Sequence, residues 1–380
     1  MHRTPGQLVW IMILIVSACA GPKYGQWGNE DGNDFRPWGV DPARRGWVEE
    51  SLSFPLRMAW QKKIQGVPAG TFFGAGDGVF FGTRNGMIYG LDVADGRILW
   101  SRKSREKTEN TCVVTGSRVI AVKRSDRPSL AADDIASGET AWKRDAGAIV
   151  GEPLLAGDTL IAANEEGRLV WVETGTGEII RQAAVGDPMI SGVSSCGDTL
   201  FLCTEKGSFE ARSARDGALI WRRKTGDAFM VSPVCCGKRI FAGSLSGRLY
   251  CLESSTGSIL WERRSSGGIF FKVSADDRHL FWGDSRGSLF CSDQVSGSEV
   301  WRFDSGSPVG ADPAVIGGCV LFCTMAEEMH ALDRMTGREI WRFKTRGRVR
   351  TVPHYWKKHV LIGSEEQIVY AFASDGDESH

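Results

Sequence analysis

An acidic residue, a glycine four positions later and a tryptophan four positions after that recur together along this chain. Successive anchors of the pattern lie 40, 42, 39, 40, 40, 40 and 40 residues apart. The anchors are Trp60, Trp100, Trp142, Arg181, Trp221, Trp261, Trp301 and Trp341. Seven of the 14 tryptophans therefore occupy one position of one repeat. A fixed period of this length is typical of architectures in which each unit packs on the next.

Each repeat contains short strand patterns and no helical period. Runs at residues 159–163 and 239–243 are apolar and β-prone, and glycine turns separate them. A second marker recurs every 40 residues in the first half of the unit, at Pro153, Val193, Pro233, Val273, Pro313 and Pro353. Four short strands in about 40 residues predict a blade of a β-propeller, so the expected fold is all-β.

The number of blades follows from a strand that in most copies begins with glycine and carries an aromatic residue. This strand occurs near residues 86, 127, 167, 207, 247, 287, 327 and 366, which predicts eight blades. The last copy ends before any tryptophan, whereas the strand around Trp60 has no blade before it. The sequence therefore predicts that residues 56–63 complete the last blade of a propeller spanning 56–373, followed by a tail at 374–380, because this closure leaves no unpaired edge.

The repeat residues have structural roles in this interpretation. Gly96 and its equivalents supply the positive φ of a turn, and the acidic residue four positions earlier accepts hydrogen bonds from turn amides. The tryptophan fills space between neighbouring blades and can donate its N–H to a main-chain carbonyl. The 47 glycines and 14 tryptophans are thus largely explained by blade construction, which leaves little sequence for a catalytic site.

The N-terminus is predicted to be a targeting segment. Residues 8–16 form an apolar run that is too short to span a membrane and suits a signal peptide. It is followed by Val16-Ser17-Ala18-Cys19, which resembles the bacterial lipoprotein signal; an ordinary signal peptide or a membrane anchor is the alternative. We predict a signal peptide at 1–18, lipidation of Cys19 and a flexible tether at 19–55. Ala20 after the cysteine resembles the enterobacterial pattern that directs lipoproteins to the outer membrane.

Charge excludes one class of function and indicates one candidate surface. Lysine plus arginine and aspartate plus glutamate each number 46, a balance that argues against a nucleic-acid-binding protein. Arg346, Arg348 and Arg350 nevertheless form a local basic cluster. It is either a solvated rim or a docking patch for an acidic partner, and Arg348 and Arg350 would share a face if they lie on an inner strand.

The motif resembles the tryptophan-docking repeat of the quinoprotein (PQQ) dehydrogenases and their non-catalytic relatives, and it covers residues 56–373. Together with a lipoprotein signal and a single eight-bladed propeller, it resembles the BamB family, lipoprotein components of the outer-membrane β-barrel assembly machinery. The resemblance implies a monomeric, non-catalytic scaffold, anchored to the outer membrane and facing the periplasm. Its implied partner is an envelope protein such as the β-barrel assembly channel. The alternatives are a PQQ-dependent dehydrogenase-like or PQQ-sensing protein, and a carbohydrate or peptide binder.

The residues favour the non-catalytic alternative. PQQ catalysis needs a general base, Ca²⁺ held by oxygen ligands and basic groups on the quinone carboxylates, and no such set can be assembled. The six histidines and the nine cysteines other than Cys19 show no metal-ligand spacing. Quinoprotein alcohol dehydrogenases stack a disulfide between adjacent cysteines on PQQ, but Cys235-Cys236 is predicted at a strand end. We therefore predict no cofactor, no metal and no catalytic residues.

Overall fold

The computed structural model describes residues 45–103, 110–123, 128–135 and 137–374. The signal peptide, Cys19, the tether up to residue 44 and the tail from residue 375 lie outside the described residues. Within them the regular elements are β-strands. The same part of the chain contains no helix that is long and apolar enough to cross a membrane.

The described residues form eight blades of four antiparallel strands, and β1 adds a fifth, parallel strand to one of them, so the prediction of an eight-bladed all-β propeller is confirmed. Two short N-terminal segments come first, β1 (Trp47–Val48) and β2 (Leu56–Lys63). Blades 1 to 4 are β3 (Pro68–Ala75), β4 (Gly78–Thr83), β5 (Met87–Asp92), β6 (Ile98–Lys103); β7 (Asn110–Thr115), β8 (Arg118–Lys123), β9 (Leu130–Asp134), β10 (Thr140–Arg144); β11 (Ile149–Ala156), β12 (Thr159–Asn164), β13 (Arg168–Glu173), β14 (Ile179–Ala184); and β15 (Ser194–Cys196), β16 (Thr199–Cys203), β17 (Ser208–Ser213), β18 (Leu219–Lys224). Blades 5 to 8 are β19 (Val234–Cys236), β20 (Arg239–Gly243), β21 (Arg248–Glu253), β22 (Ile259–Arg264); β23 (Ser274–Ala275), β24 (His279–Gly283), β25 (Ser288–Asp293), β26 (Glu299–Asp304); β27 (Ala314–Ile316), β28 (Cys319–Cys323), β29 (Glu328–Asp333), β30 (Glu339–Lys344); and β31 (His354–Trp356), β32 (His359–Gly363), β33 (Ile368–Ser374) with β2.

Apolar residues are buried between neighbouring blades. One cluster joins Phe201 and Phe209 of blade 4 to Ile240 and Tyr250 of blade 5, and similar clusters join blades 5 to 6 and 6 to 7. Both faces of a blade are covered, so a middle strand such as β20 has a continuous apolar run. The outer strand β22 is covered only at Trp261 and is otherwise exposed.

The ring is closed by its N-terminal strand. β2 pairs antiparallel with β33, and Trp60 lies opposite Ala371. Blade 8 therefore combines the first and last parts of the propeller sequence, and the sheet order is β2-β33-β32-β31. This closure joins the two ends of the ring by main-chain hydrogen bonds.

The described end of the predicted tether lies on the propeller. β1 pairs in parallel with β27, with Trp47 opposite Val315. The carbonyl of Arg45 accepts a hydrogen bond from the main-chain N–H of Ala275. Trp47 packs against the cluster between blades 6 and 7, so the chain enters along the first strands of those two blades.

Candidate functional site

Five of the repeat tryptophans join neighbouring blades in the same way. Each indole N–H donates to a main-chain carbonyl of the next blade, at 2.8–3.1 Å. The five donors are Trp60, Trp142, Trp221, Trp261 and Trp301. The ring also covers the turn glycine of that blade, so a Cβ at Gly337, where φ is +71°, would lie 2.6 Å from the ring of Trp301. These contacts hold blades together and do not form an open binding site.

The other two repeat tryptophans pack differently. Trp100 of blade 1 contacts the ring of Phe80, with ring centroids 6.0 Å apart. Trp341 of blade 7 faces the closing blade, which has no glycine turn before its outer strand. It packs edge-on against Phe372 at 5.5 Å and also contacts Phe54.

An arginine that was not predicted as a repeat residue follows several of the tryptophans by two positions. Its guanidinium donates to the carbonyl of the turn glycine in the next blade, at 2.6–2.9 Å. The residues are Arg102, Arg144, Arg223 and Arg263. The spacing Trp-x-Arg was visible in the sequence, and it marks arginines whose guanidinium groups are committed to the joints between blades.

Blade 3 departs from this pattern. Arg181 occupies the tryptophan position of β14, and Trp171 of β13 lies directly opposite it in the ladder. The Trp171 indole N–H donates to the carbonyl of Ala214 in blade 4 at 2.9 Å. The interblade hydrogen bond is thus kept, but the tryptophan has moved to the neighbouring strand and the Arg181 side chain is exposed.

Polar side chains meet across the central channel. The first strands of neighbouring blades contact one another around it, β15 with β19 and β19 with β23. Lys272 Nζ lies 3.0 Å from a carboxylate oxygen of Glu152 and 3.1 Å from one of Asp312. The Thr71 hydroxyl donates to Glu152. Because Lys272 and Glu152 belong to blades 6 and 3, which are three positions apart in the ring of eight, their ion pair crosses the channel.

This channel bridge, defined as Thr71, Glu152, Lys272 and Asp312, was not predicted. A periodic signal existed, since Glu152, Lys272 and Asp312 each precede a marker residue of the repeat. Their pairing across three blades could not be read from that position. All three charged side chains are largely buried, with at most 20% of the side chain exposed, so the ion pairs are only partly screened by water.

We expect the channel bridge to stabilise the ring. In a double-mutant cycle with Lys272→Met and Glu152→Gln, the two effects on the free energy of unfolding should couple by about 1–2 kcal/mol, since the two charges attract each other at a partly buried position. Urea unfolding of the four proteins measures this coupling. Lys206 and Asp187 form a control ion pair at the same 3.0 Å, but the lysine is 65% exposed. Lys206→Met with Asp187→Asn should show no measurable coupling, and equal coupling in the two cycles would contradict the expectation.

The predicted basic cluster lies in the loop between β30 and β31. Arg350 donates to a carboxylate oxygen of Glu365 at 2.6 Å, and Arg348 lies 3.9 Å from the other oxygen. Within this loop Val349 makes an isolated bridge to Ser364. Arg348 and Arg350 therefore face Glu365 in the loop before β33, and Arg346 and Arg348 are the more exposed members of the cluster.

The adjacent cysteines lie on β19, where Cys236 ends the strand. The Cys235 thiol contacts the carbonyl of Gly237 at 3.8 Å, and the Cys236 thiol contacts that of Asp276 at 3.6 Å. All cysteines in the described residues are free thiols. Burial raises the pKa of Cys251, Cys291 and Cys319 to about 12, which keeps them protonated at neutral pH.

A PQQ-type cofactor with a metal ion does not fit the residues of the channel. In the described part of the chain, no group of three or more His, Cys, Asp or Glu side chains could hold a metal. The ammonium of Lys272 lies between two carboxylates, so its charge is already neutralised and is not available to a quinone carboxylate. The cysteine pair also forms no disulfide that could stack on a ring.

Comparisons with solved structures show the same fold. BamB from Moraxella catarrhalis has a TM-score of 0.70 at 18% identity, over 84% of this chain and 100% of that one. The quinohemoprotein alcohol dehydrogenase from Comamonas testosteroni has a TM-score of 0.75 at 12% identity, over 90% of this chain and 82% of that one. The computationally designed Ika8 protein has a TM-score of 0.71 at 14% identity, over 86% and 100%. At these identities the likeness shows the fold alone.

Sequence comparison assigns the family. Among curated protein sequences, none matches this chain. The family model described as outer membrane protein assembly factor BamB matches residues 57–200, 205–290 and 285–380. These spans cover nearly all of the propeller and well over half of the chain, so the chain belongs to the family of the outer membrane protein assembly factor BamB.

Proposed function

We propose that the protein is a non-catalytic scaffold of the bacterial envelope, anchored by lipid on Cys19, that docks a partner protein during outer-membrane β-barrel assembly. Family membership supports the envelope setting. The sequence Val16-Ser17-Ala18-Cys19 supports the anchor, and the residue after it supports the outer membrane. We expect a monomeric propeller that needs no cofactor.

The observation that carries the proposal is the channel bridge. An enzyme built on a propeller needs a pocket in which charged groups are free to meet a substrate. Here the charged groups of Glu152, Lys272 and Asp312 are bonded to one another in the channel. The surfaces left for contact are the loops between blades and the outer strands.

Three features of those surfaces suit a protein partner. Ile180, Ile220, Leu260 and Val300 occupy one repeat position on the outer strands of blades 3 to 6 and are about half exposed. Outer strands also have one free edge, which can accept a strand from another protein. The exposed Arg346 and Arg348 add positive charge on a connecting loop, and this suits an acidic segment of the partner.

We expect charge reversal of the loop to weaken docking. Affinity capture of the lipidated protein from membranes, with Arg346→Glu and Arg348→Glu, should recover at least about tenfold less of the β-barrel assembly channel than the unaltered protein, because like charges then face each other. Recovery by the unaltered protein should fall as salt is raised. Arg278→Glu with Arg338→Glu is the matched control, since both arginines are exposed in turns within a blade, outside the loops between blades and the outer strands, and it should leave recovery unchanged.

Three results would contradict parts of this proposal. If the unaltered protein never recovers the assembly channel, the role in β-barrel assembly is wrong. If both charge-reversed proteins recover it equally well, Arg346 and Arg348 are not the docking residues. If PQQ with Ca²⁺ raises the melting temperature of the purified protein, the PQQ-binding alternative replaces the non-catalytic scaffold.

A further inference from the structure

An open cleft of about 350 Å³ lies between blades 3 and 4, outside the channel bridge and away from the loop of Arg346. Its apolar walls are Ile161, Trp171, Ile180 and Ala214. Arg181 and Arg215 add two positive charges to the same lining. A volume of this size holds one small organic group.

The cleft exists because blade 3 departs from the repeat. In blade 5, for example, the tryptophan of the outer strand covers the turn glycine of the next blade. In blade 3 the ring of Trp171 reaches the corresponding Gly217 from the neighbouring strand, where a Cβ would lie 2.9 Å from it. The position left on the outer strand carries Arg181, whose exposed side chain does not fill the space of an indole.

The two arginines act on the same small region. Asp216 has its pKa below the usual range, first because Ser213 and the main chain of Ala218 bond its carboxylate, and then because Arg181 and Arg215 attract its charge. Both guanidinium groups are therefore close enough to act on one carboxylate beside the cleft. A second carboxylate placed in the cleft would be attracted by the same two guanidinium groups. The negative charge of Asp216 would offset part of that attraction.

We propose that this cleft binds a small carboxylate with a flat apolar body. The body would lie against Trp171 and the two isoleucines, and the carboxylate would bond the guanidinium of Arg181 or Arg215, which match its planar geometry. This binding site goes beyond the scaffold function and shares only Ile180 with the surfaces proposed for docking. A free organic acid and the C-terminal residue of a peptide present the same chemistry.

The experiment uses the lipidated protein in nanodiscs of neutral lipid, with empty nanodiscs as the blank. The probe is 3-(4-fluorophenyl)propanoate, followed by fluorine NMR line broadening, and its amide is the uncharged comparison. We expect saturable binding with a dissociation constant on the order of 1 mM, which is ordinary for a ligand of this size. The amide should bind at least about fivefold more weakly, because it lacks the charge.

Variants assign the site. Arg181→Gln and Arg215→Gln should each weaken binding about fivefold, whereas Asp216→Asn should strengthen it about twofold. Arg168→Gln is the matched control, because Arg168 is an exposed arginine at the other end of β13, and it should bind as the unaltered protein does. Competition by acetyl-Ala-Ala-Phe with a free C-terminus would indicate a peptide ligand, and competition by phenylpropanoate alone a free acid. Binding no greater than the blank, equal binding of the amide, or no loss in both arginine variants would overturn the proposal.

Discussion

Replacing Glu210 by alanine should lower the free energy of unfolding by about 3–5 kcal/mol, because the substitution leaves buried positive charge without its partner. Glu210 is fully buried, and its two carboxylate oxygens each lie 2.6 Å from an arginine nitrogen, one of Arg212 and one of Arg222. Arg212 also donates to the carbonyls of Ala184 and Gly217. This cluster of Glu210, Arg212 and Arg222 therefore joins blade 3 to blade 4 and also joins the strands within blade 4.

Urea unfolding followed by far-ultraviolet circular dichroism measures this loss. Glu210→Gln keeps one acceptor in place and should lose less than Glu210→Ala. Replacing both buried partners, with Glu210→Leu and Arg212→Met, should also lose less than Glu210→Ala, because no charge is then left unpaired. Glu262 is exposed and lies 3.9 Å from Arg248, so Glu262→Ala provides the surface control and should have no measurable effect. A loss below about 1 kcal/mol for Glu210→Ala would contradict the role assigned to this cluster.

Replacing Trp301 by alanine should cost about 3–5 kcal/mol, since it opens a cavity between blades 6 and 7. The side chain is 8% exposed, and its N–H donates to the carbonyl of Arg334 at 2.9 Å. Its ring covers Gly337 and lies 5.9 Å from the ring of Phe281. Trp301→Phe should cost less, because much of the buried area remains although the hydrogen bond is lost.

Arg181→Ala is the matched control for Trp301→Ala, because it removes a long side chain from the same repeat position in a blade where that side chain is exposed. We expect a change within about 0.5 kcal/mol for this surface substitution. Thermal unfolding should show the same order of stability as denaturant. Equal losses at the two positions would mean that the repeat position does not act through packing between blades.

Local chemistry explains why the blades could be predicted. The turn at Gly96 needs a positive φ, and Asp92 accepts the hydrogen bond of Ala94 there at 3.0 Å. These requirements act over a few residues and recur in blades 1 to 7, so they produce a periodic signal in the sequence. The closing strand also has a signal in the sequence, since Trp60 has the spacing of the repeat without a blade before it.

The candidate sites depended on contacts between distant residues. Arg346, Arg348 and Arg350 stood out as a basic cluster, but the sequence did not indicate that Glu365 lies beside Arg350. Arg181 stood out as a missing tryptophan, but the compensating position of Trp171 follows from the ladder register of β13 and β14. Residues with opposite charge are abundant throughout the chain, so no pairing could be selected before the blades were in place.

The sequence by itself determined the repeat, the number of blades, the turn glycines and the positions of the docking tryptophans, because each depends on conformational preferences within about 40 residues. Only the tertiary structure decided that Lys272 meets Glu152 across the channel and that Glu210 is buried between two arginines. It also decided that blade 3 leaves a cleft. These features depend on distances between side chains that become neighbours only when the ring closes, and the free energy of a charge depends on that burial.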